Sequence, residues 1–318
     1  MANLGILDNQ YNILEKKLTD GYNDFYSAQH NQTHVNYLIT IKKPDNNANN
    51  NFPANELNVL QILHNINNPY ILHYIGNGNG ILALNNKPPR NVNYLIFEYA
   101  SKFCLFDYIF VEKLTERQAK LLFKKILNGV QTIHNNNICH RNIKLENIIL
   151  DENYNPKIFN FYFSTINANN LNDYVGSISY SAPEIFQNHP YDGYKADIFS
   201  LGQLLFNLVN KINGFKSSSN NDHYYSLIRN NHLNEYWNTG PLHNLNPSNE
   251  FKNLFVRMVA YVPLQRPTIN EILNSPWMQE LNNLNNDELN ALENELRDEL
   301  HNREAHINND IMDDDDDD

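Results

Sequence analysis

Two short stretches gather the side chains most able to do chemistry: His140-Arg141-Asn142-Ile143-Lys144-Leu145-Glu146-Asn147, and further on Asn160-Phe161-Tyr162. At a key position of each stands an asparagine. The amide oxygen of Asn142 is too weakly basic to take a proton from a hydroxyl, and loss of a general base typically costs on the order of 10² to 10⁴ in rate. Asn160 can offer one neutral oxygen to a metal, but Mg²⁺ is a hard cation that favours carboxylate and phosphate oxygens. Other chemistries find no support in the spacing. Cys104 and Cys139 form no metal or redox pattern. His134, His189, His223 and His243 have no ligand spacing, and no Ser-His-Asp or paired-glycosidase arrangement can be argued. Asparagine supplies about a fifth of the chain and clusters in stretches such as Asn46 to Asn51. Compositional drift can therefore explain how amides reached 142 and 160, without restoring what an amide cannot do.

The elements that must hold these residues are partly legible. Tyr11 to Leu18 alternates loosely like a strand, Tyr37 to Lys42 is a β-branched run of strand length, and Tyr94-Leu95-Ile96-Phe97 reads as a buried strand. A turn-rich segment containing Gly21 joins the first two. Residues 52 to 64 place Leu57, Leu60, Ile62 and Leu63 at mixed helical spacing, which predicts one helix crossing this stranded region. From Leu105 onward the pattern is helical, with Ala119, Leu122, Phe123, Ile126, Val130 and Ile133 on one face. Strands first and helices afterwards predict an α+β chain with a small β-rich lobe and a larger helical one. After Trp277 the composition turns to Asn, Glu and Leu. There Leu289, Leu292, Leu296 and Leu300 predict an amphipathic helix packed on the larger lobe, ahead of a solvated, disordered acidic run from Asp313 to Asp318.

With 318 residues and 41% apolar content the chain can bury a sizeable core. It has no stretch of about eighteen apolar residues and no N-terminal pairing of positive charge with an apolar run, so neither membrane spanning nor secretion is expected. Two cysteines outside any redox spacing suit the cytoplasm or nucleus. A net charge of −12 argues against nonspecific binding to nucleic acid or anionic lipid.

Taken in order, the motifs resemble the eukaryotic protein kinase family, from about residue 11 to about residue 280. The run at 140 resembles the catalytic loop H-R-D-L-x-x-x-N, and Asn160-Phe161-Tyr162 resembles D-F-G. The resemblance divides the chain into an N-terminal extension (1–10), an N-lobe (11–99), a C-lobe (100–280) and a helix with its tail (281–318). It implies a nucleotide site in which Lys42, from Ile39-Thr40-Ile41-Lys42, grips phosphates and pairs with Glu56. Gly21 would line the phosphates, Glu98-Tyr99-Ala100 would form the hinge behind a bulky Phe97, and Asn147 with Asn160 would stand at the metal positions. Lys144, two residues past Asn142, follows the serine/threonine pattern. Ala182-Pro183-Glu184 resembles A-P-E and follows the substrate-side loop Gly176 to Tyr180. Arg266 sits where the family pairs an arginine with that glutamate. Leu60, Tyr74, His140 and Phe161 fall at the positions of the apolar column joining the lobes, with Asp197 anchoring His140. Ile198 to Val209 and Pro276-Trp277-Met278 look most like the calcium/calmodulin-dependent group, although no basic amphipathic calmodulin target follows the domain.

The departures bear on function. Both aspartates of the family's chemistry are asparagines here. Leu18 to Phe25 is one residue short of L-G-x-G-x-F-G-x-V and keeps one glycine, while Asp20 and Asp24 would repel a polyanion. Thr40 replaces the alanine under the adenine, Cys104 the acidic group facing the ribose, and Tyr162 the D-F-G glycine. These changes imply a pseudokinase, a scaffold or allosteric partner for an active kinase or its substrate. ATP contact would be residual, through Lys42 and Asn147, and Mg²⁺ weak or absent. Two alternatives stay open: a slow serine/threonine kinase in which Asn142 positions the hydroxyl and Lys144 carries charge, and a nucleotide-sensing switch without turnover. Arg141 and Asp173 are expected to pair, holding the substrate-side loop without phosphorylation.

Overall fold

The computed structural model describes residues 3–45, 51–111, 114–187 and 189–314. The asparagine run at 46–50 and the end of the acidic run, 315–318, lie outside the described residues. The N-terminal part is a closed barrel of six antiparallel strands: β1 (Gly5–Leu7), β2 (Tyr11–Thr19), β3 (Asn23–His30), β4 (Asn36–Lys42), β5 (Tyr74–Leu84) and β6 (Arg90–Glu98), in the order β1-β2-β3-β4-β6-β5. Strand periodicity sorts the side chains by face. Ile39 and Ile41 of β4 point into the barrel with Leu7, Ile13, Tyr26, Val92 and Tyr94. Leu38 faces the other way and joins the core that continues into the second lobe, and the same alternation puts Thr40 and Lys42 on that side. Within the segment expected as an N-terminal extension, Gly5–Leu7 form β1, which pairs with both β2 and β5 and closes the barrel.

Helix α1 (Ala54–His64) lies against this sheet and buries Glu56, Val59, Leu60 and Leu63. Below it the chain is helical. α2 (Leu105–Val111) leads to α3 (Glu116–Asn135), whose start is fixed by a capping box between Thr115 and Gln118. Two small two-stranded sheets follow: β7 (Ile138–Cys139) pairs with β10 (Thr165–Ile166), and between them β8 (Ile148–Leu150) pairs with β9 (Pro156–Ile158). Helix α4 (Gly193–Asn210) is buried along nearly its whole length, with polar side chains such as Asp197, Gln203 and Asn207 buried among its apolar ones, so it is the spine of the larger lobe. The remaining helices surround it: α5 (His223–Arg229), α6 (Leu233–Trp237), α7 (Asn249–Met258), α8 (Ile269–Leu273) and α9 (Gln279–Asn282).

The last helix, α10 (Asn286–Asp314), docks on α2 and α3. Leu292, Leu296, Leu300 and Ile307 form its buried stripe. Polar contacts fix it as well: Lys102 meets Glu304 at 2.8 Å, and the buried Arg303 donates to the Tyr108 carbonyl at 3.0 Å. The helix is longer than expected and takes in Asp313 and Asp314, the start of the run read from sequence as disordered. Among the described residues, no helix is long and apolar enough to cross a membrane.

Candidate functional site

The two small sheets set the 140–147 loop beside the 159–164 segment, and α4 holds that loop through Asp197. Asp197, fully buried on α4, accepts the backbone N–H groups of His140 (2.8 Å) and Arg141 (2.7 Å) and lies 2.9 Å from His134 Nε2. Burial pushes the His140 imidazole down, keeping it neutral. Its Nε2 donates to the Phe159 carbonyl at 3.0 Å, which leaves Nδ1 to accept the Asn142 N–H at 3.3 Å. Asn142 itself faces no acid. Its Oδ1 accepts from Ser177 at 3.4 Å, and its carbonyl accepts from Asn147 Nδ2 at 2.8 Å. Lys144 is drawn to Glu146, 3.8 Å away.

The residues that the resemblance sets at the metal and phosphate positions are engaged by the chain's own groups. Asn160 sits in the left-handed region (φ 64°), which asparagine tolerates. Its Nδ2 donates both to Asn147 Oδ1 (3.0 Å) and to Asp20 Oδ2 (2.9 Å), while its Oδ1 is buried without a partner. Asp20 turns its other oxygen onto its own loop, accepting the N–H groups of Tyr22 (2.7 Å) and Asn23 (2.6 Å). The Tyr22 ring stacks on Tyr162, with centroids 4.4 Å apart and planes at 24°. A Cβ added to Gly21 would meet nothing within 4 Å, so this glycine marks no close approach. Asp20 and Asp24, expected to repel a polyanion, have partners within the protein: Asp24 is held by Lys16 (2.9 Å) and Lys43 (3.6 Å), and Asp20 by the turn. The signal for the turn was present: an aspartate before glycine commonly caps the backbone two residues on.

The expected Lys42–Glu56 ion pair does not form among the described residues. Lys42 donates to the carbonyls of Tyr22 (3.2 Å) and Lys43 (2.9 Å) and lies over the rings of Tyr162 (5.1 Å) and Tyr22 (5.8 Å). These contacts draw it away from α1. Glu56 is left buried with Oε2 unpartnered, and burial, reinforced by the charge of Asp20, pushes its carboxyl up to about 8.

The slot under the barrel is narrow. Phe25 and Phe159 meet in a T-shaped contact at 5.4 Å, and the cavity lined by Leu18, Leu38, Cys104 and Ile149 measures about 10 Å³. Small-ligand pockets usually run from roughly 300 to 1,000 Å³. The Cys104 thiol donates to Asp107 at 3.0 Å, and Ala100 and Phe97 are buried at the hinge. Glu98 is taken up by Lys157 (2.8 Å) and the His73 N–H (2.9 Å).

Several other expected residues do come together. Leu60, Tyr74, His140 and Phe161 are all buried, with His140 and Phe161 rings 5.0 Å apart. Arg266 forms a bidentate pair with Glu184, at 2.6 and 2.7 Å. Arg141 meets Asp173 at 2.5 Å and also donates to the Phe163 carbonyl at 2.7 Å.

A Mg²⁺-nucleotide fits this arrangement poorly. Among the described residues no cluster of three or more His, Cys, Asp or Glu side chains could hold a metal. Asn160 presents an N–H, not an oxygen, toward Asn147, and the loop's N–H groups are spent on Asp20. The loop would have to lift before phosphates could enter.

Comparison with known proteins places these features in context. The sequence matches the protein kinase domain family over residues 21–278. It is similar to NUAK family SNF1-like kinase 1 of Homo sapiens, at 34% identity over 222 residues, which is 69% of this chain and 31% of that protein. The Mus musculus protein of the same name is 33% identical over a stretch of the same length, again 31% of that protein. The chain thus matches less than a third of the length of these relatives.

Proposed function

The chain belongs to the protein kinase family, and from that premise we propose that it is a serine/threonine-type pseudokinase, a scaffold or allosteric partner for another protein and not a phosphotransferase. A protein kinase domain implies ATP binding between the lobes. Here the observation that carries the reading is the commitment of both amides that replace the working aspartates: Asn142 Oδ1 accepts from Ser177, and Asn160 Nδ2 donates to Asp20 and Asn147. Neither can accept a proton from a substrate hydroxyl. The missing base alone is worth roughly 3 to 5 kcal/mol of barrier, and the second change acts on the same transition state, so the two losses need not add. A slow kinase in which Lys144 carries charge beside Asn142 is disfavoured, because Lys144 is drawn to Glu146. What remains intact is architectural: the buried column, the Glu184–Arg266 pair and the Arg141–Asp173 pair, which together present an ordered surface without turnover.

The test is transfer of radiolabelled γ-phosphate from ATP to a generic basic peptide and to the protein itself, with Lys42→Met as the blank. The wild type is expected to equal the blank. Asn142→Asp with Asn160→Asp should still transfer poorly, since the phosphate loop is one residue short, keeps a single glycine and still carries Asp20. Wild-type transfer at ordinary kinase rates, abolished in Lys42→Met, would overturn the reading.

A further inference from the structure

We propose that Asp20 serves as a resident anion in the phosphate loop and that its contact with Asn160 is a latch that holds the two lobes together without nucleotide. The geometry assigns each group a place. One carboxylate oxygen of Asp20 takes the N–H groups of Tyr22 and Asn23, donors of the kind that would otherwise face a phosphate. The other takes the Nδ2 of Asn160, which donates in the same direction to Asn147 Oδ1. Two acceptors on one side settle the orientation of the Asn160 amide, because its oxygen turned that way would face a carboxylate. The amide nitrogen thus bridges an anion and Asn147, the task a cation would perform if residue 160 were an aspartate. On this account the exchanges at 20 and 160 belong together, since an aspartate at 160 would set two carboxylates 2.9 Å apart. The stack of Tyr22 on Tyr162 closes the same gap from the side, and Lys42 covers both rings.

The latch is independent of whether the protein transfers phosphate, since a slow kinase could carry it too. Thermal melting of the full chain in EDTA, without nucleotide, tests it through a cycle of Asn160→Asp, Asp20→Asn and the two combined. Asn160→Asp should lower the melting temperature by about 3 °C, on the scale at which a chain of this size responds to one lost contact. Adding Asp20→Asn to it should recover most of that loss, because one carboxylate and one amide face each other again. Recovery also shows that the single variant's fall is not a general failure to fold. A second arm uses ATP in EDTA as the probe: Asp20→Gly should gain a thermal shift that the wild type lacks. If Asn160→Asp melts with the wild type, if the double variant falls by the sum of the singles, or if the wild type shifts with ATP as far as Asp20→Gly does, the latch is wrong. None of these readouts measures phosphate transfer, so their failure leaves the pseudokinase reading standing, and the reverse holds too.

Discussion

A carboxyl group that folds into an apolar site binds its proton more tightly than it does in the open chain. Glu56, raised from an ordinary 4.5 to about 8, is in that position. Its contribution to stability is therefore complete below about pH 4.5 and is lost as pH rises through about 8, with a slope approaching 1.4 kcal/mol per pH unit between them. Glu56→Gln keeps the shape without the titration. It should flatten this part of the profile and be more stable than the wild type above pH 8, as urea denaturation across a pH series would show. The residue was found from sequence, but its partner was misassigned. Opposite charges at family positions located Glu184 with Arg266 and Arg141 with Asp173, because in each case a carboxylate meets a guanidinium with enough donors to serve nearby carbonyls as well. Lys42 has rivals in two carbonyls and two aromatic rings, and the rings come from residues 22 and 162, far apart in the chain. No pairwise pattern carries that information.

Among the elements, those with a dominant period were readable and those with divided duties were not. The apolar steps at Leu292, Leu296 and Leu300 located α10, and the β-branched run located β4. Strand β5 escaped, since Gly76, Asn77, Gly78 and Asn79 look like a turn. The glycine at 78 is there for space: a Cβ would come within 2.5 Å of the Tyr94 ring on the neighbouring strand. The full reach of α10 was hidden as well, because its later turns rest on a buried arginine, Arg303, and on the Lys102–Glu304 pair as well as on leucines. A helix fastened this way should be part of the cooperative unit. Leu300→Ala, at a fully buried position, is expected to cost about 2 to 5 kcal/mol in chemical denaturation. A variant losing less than about 0.5 kcal/mol, the scale of an ordinary surface change, would show that α10 contributes little to the fold.

For the whole molecule, the division into a stranded and a helical lobe followed from the order of patterns along the chain, and the structure has it. The barrel could not be foreseen. Three residues, Gly5–Leu7, are too few for periodicity to register, yet they pair on both sides. Because they do, Tyr11–Ile13 of β2 and Leu82–Leu84 of β5 are covered and closed to strand addition by another chain. Deleting residues 1–10 should expose two unpaired strand margins, on β2 and β5, and turn a monodisperse protein into one that self-associates, visible as an earlier-eluting species in size-exclusion chromatography with light scattering. If the shortened chain stays as monodisperse as the original, the short strand is dispensable. The same geometry bears on any fusion or tag: carried on the first residues, it hangs from the seam that seals the barrel.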